Sequence, residues 1–274
     1  MNFFRNFLAS FLGSITALIF IISLVFILIA GIASVASFDK NILSGEISSN
    51  SILNLDLDKD VYDNIPVTQE FEEILGVSPE IIKFLDLINV IELATENKDI
   101  KGINLKTQSP KMGWSQALTI RKSLQRFKEE GKFIYTYGDF FSQKGYYLAS
   151  VSDSIFLNAM GNIELRGLGA EVLYYKELQE KYGFKMEVIR HGKYKSAVEP
   201  YLDDKMSEAN RSQIRSLLNS IWGGIANQIK LSRKVSTENF NKVVDNLDAT
   251  LPVSAFRNNI VDGIVSKTQY KQKV

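Results

Sequence analysis

The chain has 274 residues, of which 45% are hydrophobic and 23% are charged, and these globular proportions exclude a disordered or collagen-like protein. The formal net charge is +1, from 32 basic and 31 acidic residues, so the chain has no basic field for binding nucleic acid. Cysteine is absent and His191 is the only histidine, which excludes disulfides, thiolate metal centres and cysteine nucleophiles.

An uncharged segment from Asn6 to Phe38 dominates the start of the chain. It exceeds the roughly 20 apolar residues that cross a bilayer and the ~7–15-residue core of a cleaved signal peptide. Arg5 precedes it, which favours a cytoplasmic N-terminus. A signal peptide cleaved in the small-residue stretch 33–37 is the alternative. The sequence therefore predicts a cytoplasmic N-terminus at 1–12, an uncleaved transmembrane anchor at 13–36 and a Ser-rich linker at 37–51.

Residues 52–274 predict one large domain in which strands and helices alternate. Such alternation implies βαβ crossovers, a mainly parallel sheet and the α/β fold class. The predicted strands are 52–57, 100–106, 133–138 and 154–158, and the predicted helices between them are 81–93, 117–127 and 141–152.

The second half of this region predicts mostly helices. A helix is expected from Glu171 to Tyr182, followed by a strand at 186–190. Gly223 and Gly224 fall inside a helical pattern, where close helix packing explains them better than a ligand site. Further helices are predicted after Ser207, after Ser236 and from Pro252 to a point before Gly263.

Common catalytic motifs are missing from the sequence. It contains no GxxxxGK[ST], GxGxxG after a strand, HExxH or GxSxG, and nothing suggests a cofactor. The segment 191–200, HGKYKSAVEP, follows the predicted strand at 186–190. A lysine there becomes a general base when burial disfavours its charged form, and a neutral lysine can deprotonate a serine. A solvated loop lysine beside a turn proline is the alternative, which spacing alone favours.

The run YKSAVEP at 194–200 closely resembles the general-base segment of the signal peptide peptidase A (protease IV) family, in its long form. Other pieces follow in the family's order, and the resemblance covers about residues 50–270 together with the anchor. These pieces are GYYLAS at 145–150, LNAMG at 157–161, LYYK at 173–176 and IVDG at 260–263.

The resemblance implies a ClpP/crotonase-like α/β fold, attached to the bacterial inner membrane with the catalytic domain on the periplasmic side. It implies a serine endopeptidase that degrades cleaved signal peptides with a Ser-Lys dyad and uses no cofactor. The expected partners are hydrophobic signal peptides, membrane lipid, a second-repeat domain and further copies in a homo-oligomer, with no nucleic acid. The long form is an internal duplication with the lysine in the first repeat and the serine in the second. Lys195 takes the general-base position.

The chain departs from this pattern at the loop that would carry a nucleophile. Residues 106–117 contain one glycine, Gly113, where an oxyanion loop has a Gly-Gly pair. The nucleophile position holds Ala117, and Ser115 would serve only with a shifted loop. The chain is therefore expected to be a first repeat, inactive alone, that ends about where a second repeat would begin. A truncated sequence, a split gene and a genuine short protein stay open.

Two functions follow from these observations. One is a peptidase half that supplies Lys195 to a serine in an absent second repeat. The alternative is a non-catalytic, membrane-anchored scaffold or oligomerisation domain of crotonase-like fold, which the missing nucleophile favours.

Overall fold

A computed structural model of the chain describes residues 2–40, 47–64, 81–189 and 195–273, with the side chains of residues 2 and 29–40 left out. The chain divides into two units, Met1–Ser48 and Ser49–Val274. The first unit contains α1 (Asn2–Lys40), a helix of 39 residues. Its stretch Phe3–Leu28 has a mean hydropathy of 2.7 and is long and apolar enough to cross a membrane.

The second unit is built on parallel strands. The strands are β1 (Ser51–Asp56), β2 (Asp60–Tyr62), β3 (Ile81–Lys83), β4 (Ile100–Lys106), β5 (Phe133–Phe141), β6 (Ser154–Ile163) and β7 (Gly263–Ile264). Five of them form a parallel sheet in the order β1-β4-β5-β6-β7. The other two, β2 and β3, pair with each other in parallel.

Nine helices of this unit are described. Four of them begin after a serine whose hydroxyl accepts a backbone N–H of the first turn, namely Ser142, Ser207, Ser236 and Ser266. The helices are α2 (Phe84–Glu96), α3 (Trp114–Glu129), α4 (Gln143–Ala149), α5 (Lys176–Tyr182), α6 (Glu199–Leu202), α7 (Glu208–Arg233), α8 (Thr237–Asp245), α9 (Pro252–Arg257) and α10 (Lys267–Lys271).

The core follows from the alternation of side chains along the strands. Ile103 and Leu105 of β4 are buried in one cluster with Ile120 and Leu124 of α3. The other face of β4 carries Asn104, whose side-chain amide oxygen accepts a hydrogen bond from the Tyr270 hydroxyl of α10 at 2.5 Å. The sheet is therefore covered closely by helices on one side, and on the other side the buried Tyr270 of α10 packs against the rings of Tyr137 and Phe156.

A buried arginine joins three helices. Arg121 of α3 is fully buried, and its guanidinium donates to the Tyr147 carbonyl and the Ser150 hydroxyl at the end of α4. It also donates to the Gln228 carbonyl at 3.2 Å and the Ser232 hydroxyl at 2.7 Å, both in α7. Burial lowers the pKa of Arg121 to about 10. Neutral acceptors and the Tyr147 ring thus hold a desolvated cation that fixes α3 against α4 and α7.

Most predicted elements are confirmed. The helix expected at 81–93 begins only at Phe84, because Ile81–Lys83 pair with β2 as a strand. Further corrections follow after β6. The strand predicted at 186–190 is not found over residues 186–189, and residue 190 lies outside the described residues. The Met186 N–H donates to the Gln179 side chain at 2.9 Å instead of to a neighbouring strand. The helix expected from Glu171 begins only at Lys176. The helix predicted from Pro252 is found as α9, and it is followed by a further helix, α10, that was not predicted. A β-carbon at Gly223 or Gly224 would meet no other described atom within 4 Å, apart from the adjacent residues and the backbone of its own helix. The expectation of close helix packing at these glycines is therefore wrong.

Candidate active site

Lys195 lies in the non-helical stretch just before α6, and its side chain is exposed. The turn that follows is closed by backbone hydrogen bonds, from the Glu199 N–H to the Ser196 carbonyl at 3.0 Å and from the Tyr201 N–H to the Val198 carbonyl at 3.1 Å. We call residues 195–202 the lysine turn. His191 and Lys193 lie outside the described residues, so the structure places neither of them.

Glu199 fixes the lysine turn to the start of α7. Its side chain is 2% exposed. One carboxylate oxygen accepts the Ser207 hydroxyl at 2.6 Å, and the other accepts the Asn210 amide at 2.9 Å and the Ser207 N–H at 3.3 Å. Because Ser207 is the N-cap of α7, the carboxylate lies at the end of the helix where negative charge is favoured.

Helix α5 holds the lysine turn from another side. The Tyr175 N–H donates to the Pro200 carbonyl at 2.6 Å, and the Gln179 amide donates to the Tyr201 carbonyl at 2.8 Å. The rings of Tyr175 and Tyr201 stack with centroids 5.7 Å apart. The lysine turn is thus anchored by α5 and α7 while the Lys195 side chain itself stays open to solvent.

The expected nucleophile position is buried and has no hydroxyl. Ala117 lies in the first turn of α3, is fully buried, and donates its N–H to the Gly113 carbonyl at 3.0 Å. Ser115, two residues earlier, is exposed on the same turn. The predicted nucleophile position therefore lies in the first turn of a helix and carries no hydroxyl.

Two backbone groups just before this helix, the Gly113 N–H and the Met112 carbonyl, are already engaged. The Gly113 N–H donates to the Gln116 side chain at 2.7 Å, and the Gln116 amide donates to Asp63 at 2.9 Å. The Lys144 ammonium donates to the Met112 carbonyl and lies 5.5 Å from the centre of the Trp114 ring. Burial lowers the pKa of Lys144. An oxyanion would have to displace these contacts to use the Gly113 N–H.

The structure leaves the two parts of the candidate site separate. Among the described residues, no hydrogen bond or ion pair joins Lys195 to α3. Sequence reasoning missed the buried Glu199 contacts and the Lys144 contact. The Ser-x-x-Asn spacing at 207–210 marks a helix start, yet it does not reveal that a carboxylate from another turn shares it.

The sequence model of Peptidase family S49 matches residues 126–274, which is more than half of the chain. The chain belongs to Peptidase family S49. It is 31% identical over 218 residues to Protease 4 of Haemophilus influenzae, an alignment that spans 77% of this chain and 35% of that protein. It is 33% identical over 159 residues to Protease 4 of Salmonella typhi, spanning 56% of this chain and 25% of that protein. The chain therefore spans about a third or less of the length of these curated relatives.

Among solved structures, the S49 chain is similar to the membrane-bound stomatin-specific protease 1510-N, with a TM-score of 0.45 and 10% identity over 82% of this chain and 85% of that one. The resemblance to the signal peptide peptidase A (protease IV) family is confirmed by the family match and the two relatives. The five-stranded parallel sheet and the helices that cross between its strands confirm the α/β class.

Proposed function

We propose that this chain is the general-base repeat of a membrane-anchored serine endopeptidase that degrades cleaved signal peptides. Lys195 is the general base, and the nucleophilic serine comes from a second S49 repeat. One contrast carries the proposal. This S49 chain keeps a lysine turn that is anchored by both α5 and α7, yet the predicted nucleophile position holds Ala117.

The chemistry requires the second repeat to cover the lysine. A lysine acts as a general base in its neutral form, which removal from water favours. The neutral amine takes the serine proton as the serine oxygen attacks the scissile carbonyl. The tetrahedral intermediate collapses to an acyl-enzyme, and the ammonium returns its proton to the leaving amine. The same lysine then takes a proton from the water that attacks the ester, and it returns that proton to the serine oxygen as the acid product leaves.

The membrane arrangement belongs to the same proposal. Residues 13–36 span the inner membrane, residues 1–12 stay in the cytoplasm, and residues 37–51 link the anchor to a periplasmic domain at 52–274. Helix α1 supports this by its length and composition. An anchor in the bilayer brings the peptidase to hydrophobic peptides left there, and the domain assembles with further copies and with the second repeat.

A peptidase reconstituted from this chain and a second S49 repeat tests the role of Lys195. Lys195→Ala should lower hydrolysis of a hydrophobic reporter peptide by at least ~10²–10⁴-fold, and Lys195→Arg should be equally inactive because a guanidinium accepts no proton. Lys193→Ala is the control and should be mild. Full activity in Lys195→Ala, or inactivation by Lys193→Ala alone, would reject the assignment.

A scaffold function is the second candidate, and one observation favours it. The Gly113 N–H is occupied by Gln116, so the start of α3 is closed as well as lacking a nucleophile. A scaffold needs no particular lysine, so Lys195→Ala should leave assembly and every cellular readout unchanged if this candidate is correct.

A further inference from the structure

Four large apolar side chains are exposed on one short stretch of chain that runs from the end of α8 through α9. Each of them is between 49% and 68% exposed, and they are Leu247, Leu251, Val253 and Phe256. Val253 and Phe256 are three positions apart in α9, so they share a face of that helix. We call these four residues the α9 patch. Clustered apolar side chains that stay in contact with water are typical of a surface that binds another apolar surface.

The backbone under the α9 patch is firmly held. Helix α9 lies against β6 and β7, and its Ala255 is fully buried. The Ala255 carbonyl accepts the Ile260 N–H at 2.8 Å. The Asp262 N–H then donates to the Ile155 carbonyl of β6 at 2.8 Å. The exposed side chains of α9 therefore stand on a fixed support.

Leu247 is exposed at a position whose backbone suits glycine. Helix α8 ends at Asp245 and is capped by Asn246, and Leu247 follows with a φ of 58°. Helices commonly end in this left-handed conformation with Gly or Asn, because a bulky side chain is strained there. A leucine that is strained and 49% exposed contributes little to the core, so its side chain is expected to act at the surface.

The chain enters the domain at the edge of the sheet where α9 also ends. Because the five strands are parallel, the starts of β1 and β7 lie on one edge, which we call the amino edge. Helix α9 leads into β7, and the chain from the proposed anchor leads into β1. The sheet is about 19 Å wide from its first strand to its last. The linker of about 15 residues between position 36 and β1 spans at most about 50 Å. The α9 patch is therefore within reach of the membrane that the anchor crosses.

We propose that the α9 patch rests on the lipid bilayer and inserts its apolar side chains at the headgroup boundary. The inference rests on the proposed function, because it needs residues 13–36 to be an uncleaved anchor. The charges of the stretch 242–257 cancel, since they are those of Lys242, Asp245, Asp248 and Arg257. The contact is therefore apolar and does not require anionic lipid. It would turn the amino edge of the sheet toward the membrane in every molecule.

Fluorescence quenching of the full chain in nanodiscs, one chain in each, tests the proposal. The chain has no cysteine, so a single introduced cysteine carries the dye. The lipid is zwitterionic and bears a nitroxide quencher near the headgroup. A dye on Val253→Cys should lose at least about half of its fluorescence, because the patch inserts to the depth of this quencher. A dye on Leu85→Cys, the matched control, should lose little. Leu85 is 66% exposed in the first turn of α2, about 16 Å from the end of that helix at the amino edge.

Two further substitutions tie the quenching to the α9 patch. Leu247→Gly suits the backbone at that position, so it removes the apolar side chain without unfolding the protein. Phe256→Ser removes a half-exposed ring. Each change should restore at least about half of the fluorescence lost by the dye at position 253, because less apolar surface enters the bilayer. Quenching that stays the same in both variants would overturn the proposal.

A dye on Phe20→Cys, with a nitroxide deep in the acyl chains, separates failure of the proposal from failure of the anchor. Quenching at position 20 without quenching at position 253 rejects the contact of the α9 patch and leaves the anchor in place. An unquenched dye at position 20 rejects the anchor and the proposal together. Equal quenching at positions 253 and 85 also overturns the proposal. Shielding at position 253 only when two chains share a nanodisc does the same, since a second copy is then the occupant.

Discussion

The first turn of α3 and the lysine turn, the two regions that the proposed function compares, use their polar groups in opposite ways. At α3, Ala117 is buried and the Gly113 N–H is satisfied by Gln116 within the same helix start. In the lysine turn, the backbone and Glu199 are anchored while Lys195 points its amine to solvent. One region is therefore packed and closed on itself, whereas the other exposes a lysine on a fixed support.

The packing role of α3 predicts the largest effect. Arg121→Ala should destabilise the fold by about 3–5 kcal/mol, because it opens a cavity and removes four hydrogen bonds to α4 and α7. Arg126→Ala on the same helix removes an exposed ion pair with Glu92 and a 3.5 Å contact with the Ser123 hydroxyl, and should cost under about 1 kcal/mol. Chemical unfolding followed by tryptophan fluorescence measures both. Equal losses for the two variants would show that α3 is not held by Arg121.

The anchoring of the lysine turn predicts a large but local effect. Glu199→Ala removes a buried carboxylate that accepts three hydrogen bonds from Ser207 and Asn210 among the described residues, each worth about 1.5–3 kcal/mol when one partner is charged. Hydrogen exchange over residues 195–210 should accelerate by about tenfold to a hundredfold, while α3 stays unchanged. Glu187→Ala, at an exposed position, is the control and should leave both regions as they are. Uniform acceleration across the domain would contradict a local anchor.

Restoring the hydroxyl should not restore catalysis at α3. Ala117→Ser places a polar group in a fully buried site and should cost about 1–2 kcal/mol of stability without gaining reactivity, because the Gly113 N–H is engaged and the loop keeps one glycine. A fluorophosphonate probe should leave this variant unlabelled. Ser115→Ala should be neutral. Labelling of Ala117→Ser would show that only the nucleophile is missing from this helix start.

The smallest expected effect concerns Lys144. Its pKa is lowered by burial, so the folded state binds fewer protons than the unfolded state at pH values just below 10.5. The stability of the wild type relative to Lys144→Met should therefore rise as pH increases toward that value. Parallel melting curves of the two proteins between neutral pH and pH 10.5 measure this difference. A constant difference would mean that Lys144 carries no burial penalty.

Local patterns were enough to predict four of the five strands of the sheet and the helices between them, but not β7 or the β2–β3 pair. Alternating apolar residues in 100–106 and the helical spacing from Ala117 to Phe127 are local signals, and both are found in β4 and α3. The predicted strand at 186–190 failed because strand propensity says nothing about whether a partner strand exists, and Gln179 takes the Met186 N–H instead. Contacts between distant residues, such as Glu199 with Asn210, also leave no local pattern.

The candidate site was predictable only in part for the same reason. The motif at 194–200 identified Lys195 as the residue of interest, and its role stays a prediction. The closed state of the α3 start depends on Gln116 and Asp63, which are 53 positions apart in the sequence. Burial of the Gln179 side chain likewise depends on contact between α5 and α6, which the spacing of residues along the chain does not predict.

The central claim is that the dyad is divided, with the base in this chain and the nucleophile elsewhere. The most direct measurement is fluorophosphonate labelling, with peptide identification, of the purified chain alone and after addition of a second S49 repeat. The account predicts no label and no peptide hydrolysis by the chain alone, and a labelled serine in the second repeat together with hydrolysis that requires Lys195. A labelled Ser115 or Ser196 in the isolated chain would contradict it, because this repeat would then carry its own nucleophile.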